Sequence, residues 1–156
     1  MDGKGIMESL HDSLQALGVK RLDLYLIHSP RLTNGDPAAA WAVFEQLKKE
    51  GYSKSIGVSN FKIDDLEALR LAGQTTPAVN QILLHPNVYA ETKGLLDYQE
   101  RHNIVPEAYS PLYPITHRGE GGPVLKVLKD VAGKHKVSEA SILYAWSRAK
   151  GAVVIT

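Results

Sequence analysis

Residues 54–61 read KSIGVSNF. Ile56, Gly57 and Val58 form a short apolar run, and residues 55–60 have the length of a buried strand rather than a helix. A helical pattern stands on each side. Upstream, Asp36 is placed as an N-cap with Pro37 in the first turn; Trp41, Phe44 and Leu47 then mark one face, and Gly51 ends the helix. Downstream, Ile63, Leu66 and Leu69 are expected to face inward, with Gly73 at the end. Asp64 and Asp65 begin that helix, where its dipole favours negative charge. Strands separated by helices pair in parallel through right-handed crossovers.

The same alternation extends both ways. Ile6, Leu10, Leu14 and Leu17 recur at helical spacing before Gly18. LDLYLIHS, residues 22–29, reads as a strand closed by Pro30; AVNQILLH, residues 78–85, reads as another, stopped by Pro86. A helix is expected over about residues 91–101, then a strand over NIVPEAYSPL, residues 103–112, weakened early by Pro106. YPITHRGEGGP, residues 113–123, is the longest irregular stretch and the best loop candidate, with Gly119, Gly121 and Gly122 giving it freedom. Val124, Leu128 and Val131 line the next helix. Ser138 opens the last one, with Ile142, Trp146 and Ala149 on its face and Gly151 at its end. AVVIT supplies a fifth strand. Residues 1–156 form one domain without a linker. Periodicity leaves two folds open: a doubly wound open sheet, or part of a (β/α)8 barrel. Both bind ligands at the C-terminal ends of their strands.

Composition narrows the function. Of 156 residues, 44% are hydrophobic and 22% charged, which excludes general disorder. Eighteen basic and seventeen acidic residues leave a charge of +1, giving no general attraction to nucleic acid or an anionic membrane. The absence of cysteine excludes disulfides, thiolate metal sites and a catalytic thiol. No apolar run approaches the ~20 residues of a membrane span. The six histidines lack close metal-ligand pairs, so no metal site is expected. P-loop, Rossmann and nucleophile-elbow motifs are also missing.

Polar residues that end apolar strands are the functional candidates: His28 with Ser29, Ser59 with Asn60, Gln81 with His85, and Tyr109 with Ser110. Each has a plain structural alternative. A histidine there can simply be hydrogen-bonded, Ser-Asn can make a turn, Gln81 can face solvent, and Tyr109 can pack with its hydroxyl satisfied. Four such ends in one chain favour a shared pocket mouth.

With these residues in place, the chain resembles the aldo-keto reductase family over essentially its whole length. LDLYLIHSP, residues 22–30, looks like the family strand that carries a catalytic histidine. Phe44, nine intervening residues and KSIGVSNF match its mid-chain signature. VNQILLHP, residues 79–86, and AYSPL, residues 108–112, match in order and spacing. The resemblance implies part of a (β/α)8 TIM barrel, strands four to eight, cut at both ends.

It also implies NADP(H) as cofactor and hydride transfer to a small-molecule aldehyde or ketone. His28 would hydrogen-bond the substrate carbonyl oxygen. Ser59, Asn60 and Gln81 would hold the nicotinamide carboxamide. Tyr109 would stack on the ring, and Ser110 and Leu112 would lie along the pyrophosphate. The family's proton-donating tyrosine, with its lysine and aspartate, has no motif match here, and neither do the basic residues for the 2′-phosphate. The chain alone is therefore expected to be an inactive or weakly active fragment that self-associates through open sheet edges. A cytoplasmic location is expected. The alternative reading is a non-catalytic NADP(H)-binding or regulatory protein of the same fold.

Overall fold

The computed structural model describes residues 3–72, 75–117 and 122–156. Five strands follow one another in sheet order β1-β2-β3-β4-β5, alternating with helices. Residues 1–80 and 81–156 form two compact units.

The first unit holds α1 (Gly3–Leu17), β1 (Leu22–Ile27), α2 (Pro37–Lys49), β2 (Ser53–Ser59), α3 (Ile63–Leu71) and the first residues of β3 (Val79–Leu83). β1 and β2 run parallel, with Leu24 opposite Ser55 and Ile27 opposite Val58. Asp36 caps α2 as expected, its carboxylate accepting the Ala39 N–H at 2.9 Å. Trp41, Phe44 and Leu47 are buried with Leu10, Ile56, Val58 and Phe61. Phe44 lies between two rings, 4.9 Å from Tyr25 and 6.2 Å from Trp41, all nearly parallel. The Trp41 indole N–H donates to the Thr75 carbonyl at 2.8 Å, which satisfies the polar end of a fully buried ring. In α3, Leu66 and Leu69 are buried, but Ile63 is 37% exposed. A first-turn side chain leans back past the helix N-terminus, so the inward stripe begins one turn later than expected. Asp65 does serve that end, accepting the Lys62 N–H at 2.8 Å. The helix-ending role expected of Gly73 lies outside the described residues.

The second unit holds the rest of β3, α4 (Tyr89–Arg101), β4 (Val105–Tyr109), α5 (Tyr113–Thr116), α6 (Gly122–His135), α7 (Glu139–Ala149) and β5 (Val153–Val154). β4 and β5 are parallel, with Glu107 opposite Val153. Ile82, Leu84, Leu96, Ala108 and Ala152 form its core, flanked by Tyr89, Leu95 and Trp146. Ser138 caps α7 by accepting the Ser141 N–H at 3.1 Å. The buried stripe of α7 is Leu143 and Ser147, one position on from the expected Ile142 and Trp146, while Ala149 is exposed. Ser147 tolerates burial because its hydroxyl donates to the Leu143 carbonyl at 3.1 Å. The loop expected over 113–123 is partly helical: α5 occupies its start and α6 its end. Gly119 and Gly121 lie outside the described residues.

The limits of β2 and β4 differ from the expected ones for a shared reason. β2 stops before Asn60 (φ 61°) and β4 before Ser110 (φ 53°), both in left-handed backbone that leaves the ladder. Asn103 (φ 56°) likewise delays the start of β4. β1 ends at Ile27 because Ser29 caps a short 3₁₀ turn, Pro30–Thr33. β3 ends at Leu83, ahead of a similar turn at Pro86–Val88.

Candidate active site

In the first unit the candidate residues at the ends of β1 and β2 are tied together. His28 is exposed, immediately after the buried Ile27. Asn60 donates from Nδ2 to the His28 backbone carbonyl and to Ser59 Oγ, each at 3.0 Å. Ser59 itself is buried. The next residue, Phe61, has its N–H and C=O both bound by the side chain of Asn80. The turn is thus fixed by side chains on both flanks. The turn reading of Ser59 and Asn60 is correct as far as it goes: Asn60 holds the position of His28 through its backbone. His28 also borders a cavity of about 120 Å³ with Tyr25, Leu32, Thr33 and Phe44. That volume is far below the ~300 Å³ at which ligand pockets begin.

In the second unit, Gln81 donates from Nε2 to Glu107 Oε2 at 2.9 Å. Tyr109, Ser110 and Leu112 come together around a cavity of about 420 Å³, with Tyr113, Thr116, His117 and Ile155. This one is large enough for part of a cofactor. Tyr109 is half-buried and Ser110 exposed at the rim. Tyr113 of the cavity lining stacks on the buried His85 (4.8 Å, 8°) and on His117 (4.1 Å, 11°). Burial lowers the His85 pKa from its usual 6.5, which favours the neutral ring.

Sequence reasoning missed three residues here: Asn80, Glu107 and the stacked Tyr113. Glu107 had a readable signal, since it lies two residues before Tyr109 and so shares its strand face. Among the described residues, no three His, Asp or Glu side chains are grouped to hold a metal ion. No described helix is long and apolar enough to cross a membrane.

The model of the Aldo/keto reductase family matches residues 1–156. The chain belongs to the aldo/keto reductase family. Among its relatives is an NAD/NADP-dependent indole-3-acetaldehyde reductase of Schizosaccharomyces pombe, 40% identical over 97% of this chain and 54% of the relative. An NADPH-dependent alpha-keto amide reductase of Saccharomyces cerevisiae is 36% identical over 96% of this chain and 50% of its own length. The crystal structure of Gox0644 in its apo form superposes with a TM-score of 0.87 at 34% identity, covering 99% of this chain and 55% of that one. A mutant of Gox0644, solved in complex with NADPH, gives 0.83 at 36% identity, covering 96% and 53%. This aldo/keto reductase chain therefore spans about half the length of the curated relatives it matches. Its fold is part of their barrel, as expected.

Proposed function

We propose that this chain contributes substrate- and cofactor-holding residues to an NADP(H)-dependent reduction of small aldehydes or ketones. The observation that carries the reading is the cavity at the end of β4, lined by Tyr109, Ser110 and Leu112. A nicotinamide carboxamide offers two N–H donors and one acceptor, and Ser59, Asn60 and Gln81 supply hydroxyl and amide groups suited to both. Tyr109 offers a ring face, half-buried beside a 420 Å³ cavity that Ser110 and Leu112 also line, which suits a ring and its attached phosphates.

When bound, the cofactor supplies the hydride; the protein supplies orientation and electrostatics. His28 donates a hydrogen bond to the substrate carbonyl oxygen, where negative charge develops, and its exposed ring at the end of β1 can reach a ligand. Ser59, Asn60 and Gln81 orient the carboxamide, and with it the ring face turned to the substrate. Ser110 and Leu112 lie along the pyrophosphate. Residues 1–156 as one reductase domain and a cytoplasmic setting belong to the same reading. So does weak or absent turnover by the chain alone, because the proton-donor motif of the family is not in it.

The experiment has two parts. NADPH fluorescence is titrated with the purified chain and with Tyr109→Ala, for which about tenfold weaker binding is expected. In the protein that carries this sequence, His28→Ala should lower kcat/KM for a small aldehyde about 100-fold, the scale of one lost oxyanion donor. Binding without turnover in that protein would favour the regulatory alternative. No binding in either form would overturn the reading.

A further inference from the structure

We propose that the cleft between α4 and α7 is a second binding site, separate from the residues at the strand ends, and that it takes a short extended peptide by its two charged termini. The proposal does not depend on the reading above.

The cleft has a volume of about 880 Å³, within the ~300–1,000 Å³ of ligand sites. It lies at the start of β4, where Val105 and Pro106 line it, whereas Tyr109 ends that strand. Leu96 and Ile104, both buried, and the exposed Val105 give it an apolar wall.

The charges at its two ends are opposite. Tyr89 begins α4, and the Lys150 ammonium sits over its ring at 4.6 Å and over that of Trp146 at 5.8 Å. The two rings meet edge to face, so the ammonium is held at that end by both. Arg148 lines the same cleft. Glu100 stands in the last turn of α4, with Asn103 just beyond it. Lys93 and Asp97, between the ends, neutralise each other in an ion pair. Among the described residues, the side chains of Glu100, Asn103 and Arg148 have no hydrogen-bond or ion-pair partner, and Lys150 has no carboxylate partner. The place of Glu100 is informative. Carbonyls at a helix C-terminus repel an anion, so α4 itself does not account for a carboxylate there, whereas a ligand cation does. The dipole of α4 runs with the side-chain charges: it favours a negative group at the Tyr89 end and a positive group at the Glu100 end.

Length selects the ligand. Tyr89 and Glu100 are eleven positions apart in α4, roughly 16 Å at ~1.5 Å per residue. An extended peptide at ~3.3 Å per residue covers that distance with about five residues. Its ammonium meets Glu100, its carboxylate meets Lys150 and Arg148, and an apolar side chain lies against Leu96 and Val105. A single amino acid does not reach both ends, and a purely anionic ligand leaves Glu100 unpaired.

The test titrates the ¹⁵N-labelled chain with the pentapeptide Ala-Ala-Leu-Ala-Ala, both termini free, and follows the ¹H–¹⁵N spectrum. Amide signals of Glu100, Asn103, Val105 and Lys150 should shift, and that of Tyr109 should not. Acetylating the peptide and replacing Glu100→Gln should each weaken binding about fivefold, the scale of one solvent-exposed charge pair. Combined, they should weaken it no more than either alone, because both remove the same contact. Amidating the carboxylate and replacing Lys150→Met should behave as a second such pair. The tripeptide Ala-Leu-Ala, which reaches one end only, should bind about fivefold more weakly than the pentapeptide. No shifts at millimolar peptide, affinities indifferent to the termini, or losses that multiply within a pair would overturn the proposal. Should Lys150→Met disturb the packing of Tyr89 on Trp146, Arg148→Gln, which removes no ring contact, carries the carboxylate arm.

Discussion

The side chain of Asn80 clamps the backbone of Phe61 at two points, donating to its carbonyl at 2.9 Å and accepting its N–H at 3.3 Å. Both residues are fully buried. β2 has just ended and Asn60 has turned into left-handed backbone, so Phe61 has left the strand ladder where water cannot reach it. The amide of Asn80 replaces the missing ladder partner, since buried backbone groups must be paired. Through Asn60, the same turn holds the carbonyl of His28. One buried amide thereby fixes two of the strand ends that carry candidate site residues.

Asn80→Ala should therefore be strongly destabilising. It leaves one N–H and one C=O unpaired in the core, at about 1–3 kcal/mol each. Urea unfolding should show a lower midpoint with an unchanged slope. Asn80→Asp keeps the acceptor and loses the donor, setting a carboxylate against the Phe61 carbonyl. Its penalty should ease as pH falls, because a protonated carboxyl can donate again.

Gly57 is the next sensitive point. A Cβ built there would lie 2.7 Å from Val79 Cγ2, 2.8 Å from Leu26 Cδ2 and 2.8 Å from the Val79 carbonyl oxygen. Side chains can shift, but a backbone oxygen within a strand cannot do so cheaply. Gly57→Ala should cost about 1–3 kcal/mol or more by overpacking, and Gly57→Val more still. Thermal unfolding of the two variants beside the wild type measures this. Equal stability would mean that β2 and β3 separate more easily than the structure indicates.

Much of this was legible in the sequence, for local reasons. Helix caps at Asp36 and Ser138 and the stripe of Trp41, Phe44 and Leu47 follow from neighbours a few residues apart. So does the existence of each strand. What stayed hidden depends on partners distant in sequence. The strand limits at Asn60 and Ser110 are set by left-handed backbone that side-chain type alone does not specify. The clamp of Asn80 on Phe61 spans nineteen positions, and the bond from Gln81 to Glu107 spans twenty-six. The fully buried positions of α7 lie one residue on from the expected face, with Trp146 packed beside them, because Ser147 reads as polar yet satisfies its own hydroxyl within the helix. Of the candidate site residues, the types were visible, but not which groups hold them.

Trp41 separates packing from hydrogen bonding. Its ring is fully buried, and its N–H meets the Thr75 carbonyl at 2.8 Å. Trp41→Phe keeps most of the apolar contact and loses that bond, so a loss of about 1 kcal/mol is expected beyond the smaller ring volume. Trp41→Ala should cost about 3–5 kcal/mol. Trp146 is half-buried in the second unit. Intrinsic fluorescence of Trp41→Phe then reports Trp146 alone, and comparison with the wild type shows whether the two units unfold together.

His85 should make stability depend on pH. It is buried against Tyr113, and its Nδ1 has no hydrogen-bond partner among the described residues. Burial holds its pKa below the usual 6.5, so the folded chain binds a proton there less readily than the unfolded chain does. This contribution to stability is complete above about pH 6.5. It is lost as pH falls from there towards the folded pKa, because unfolding then takes up a proton. His85→Phe keeps a ring against Tyr113 and removes the charge. Urea midpoints between pH 5 and 8 should fall on acidification more steeply for the wild type than for His85→Phe. Parallel curves for the wild type and His85→Phe would show that His85 finds a partner for its proton in the folded chain.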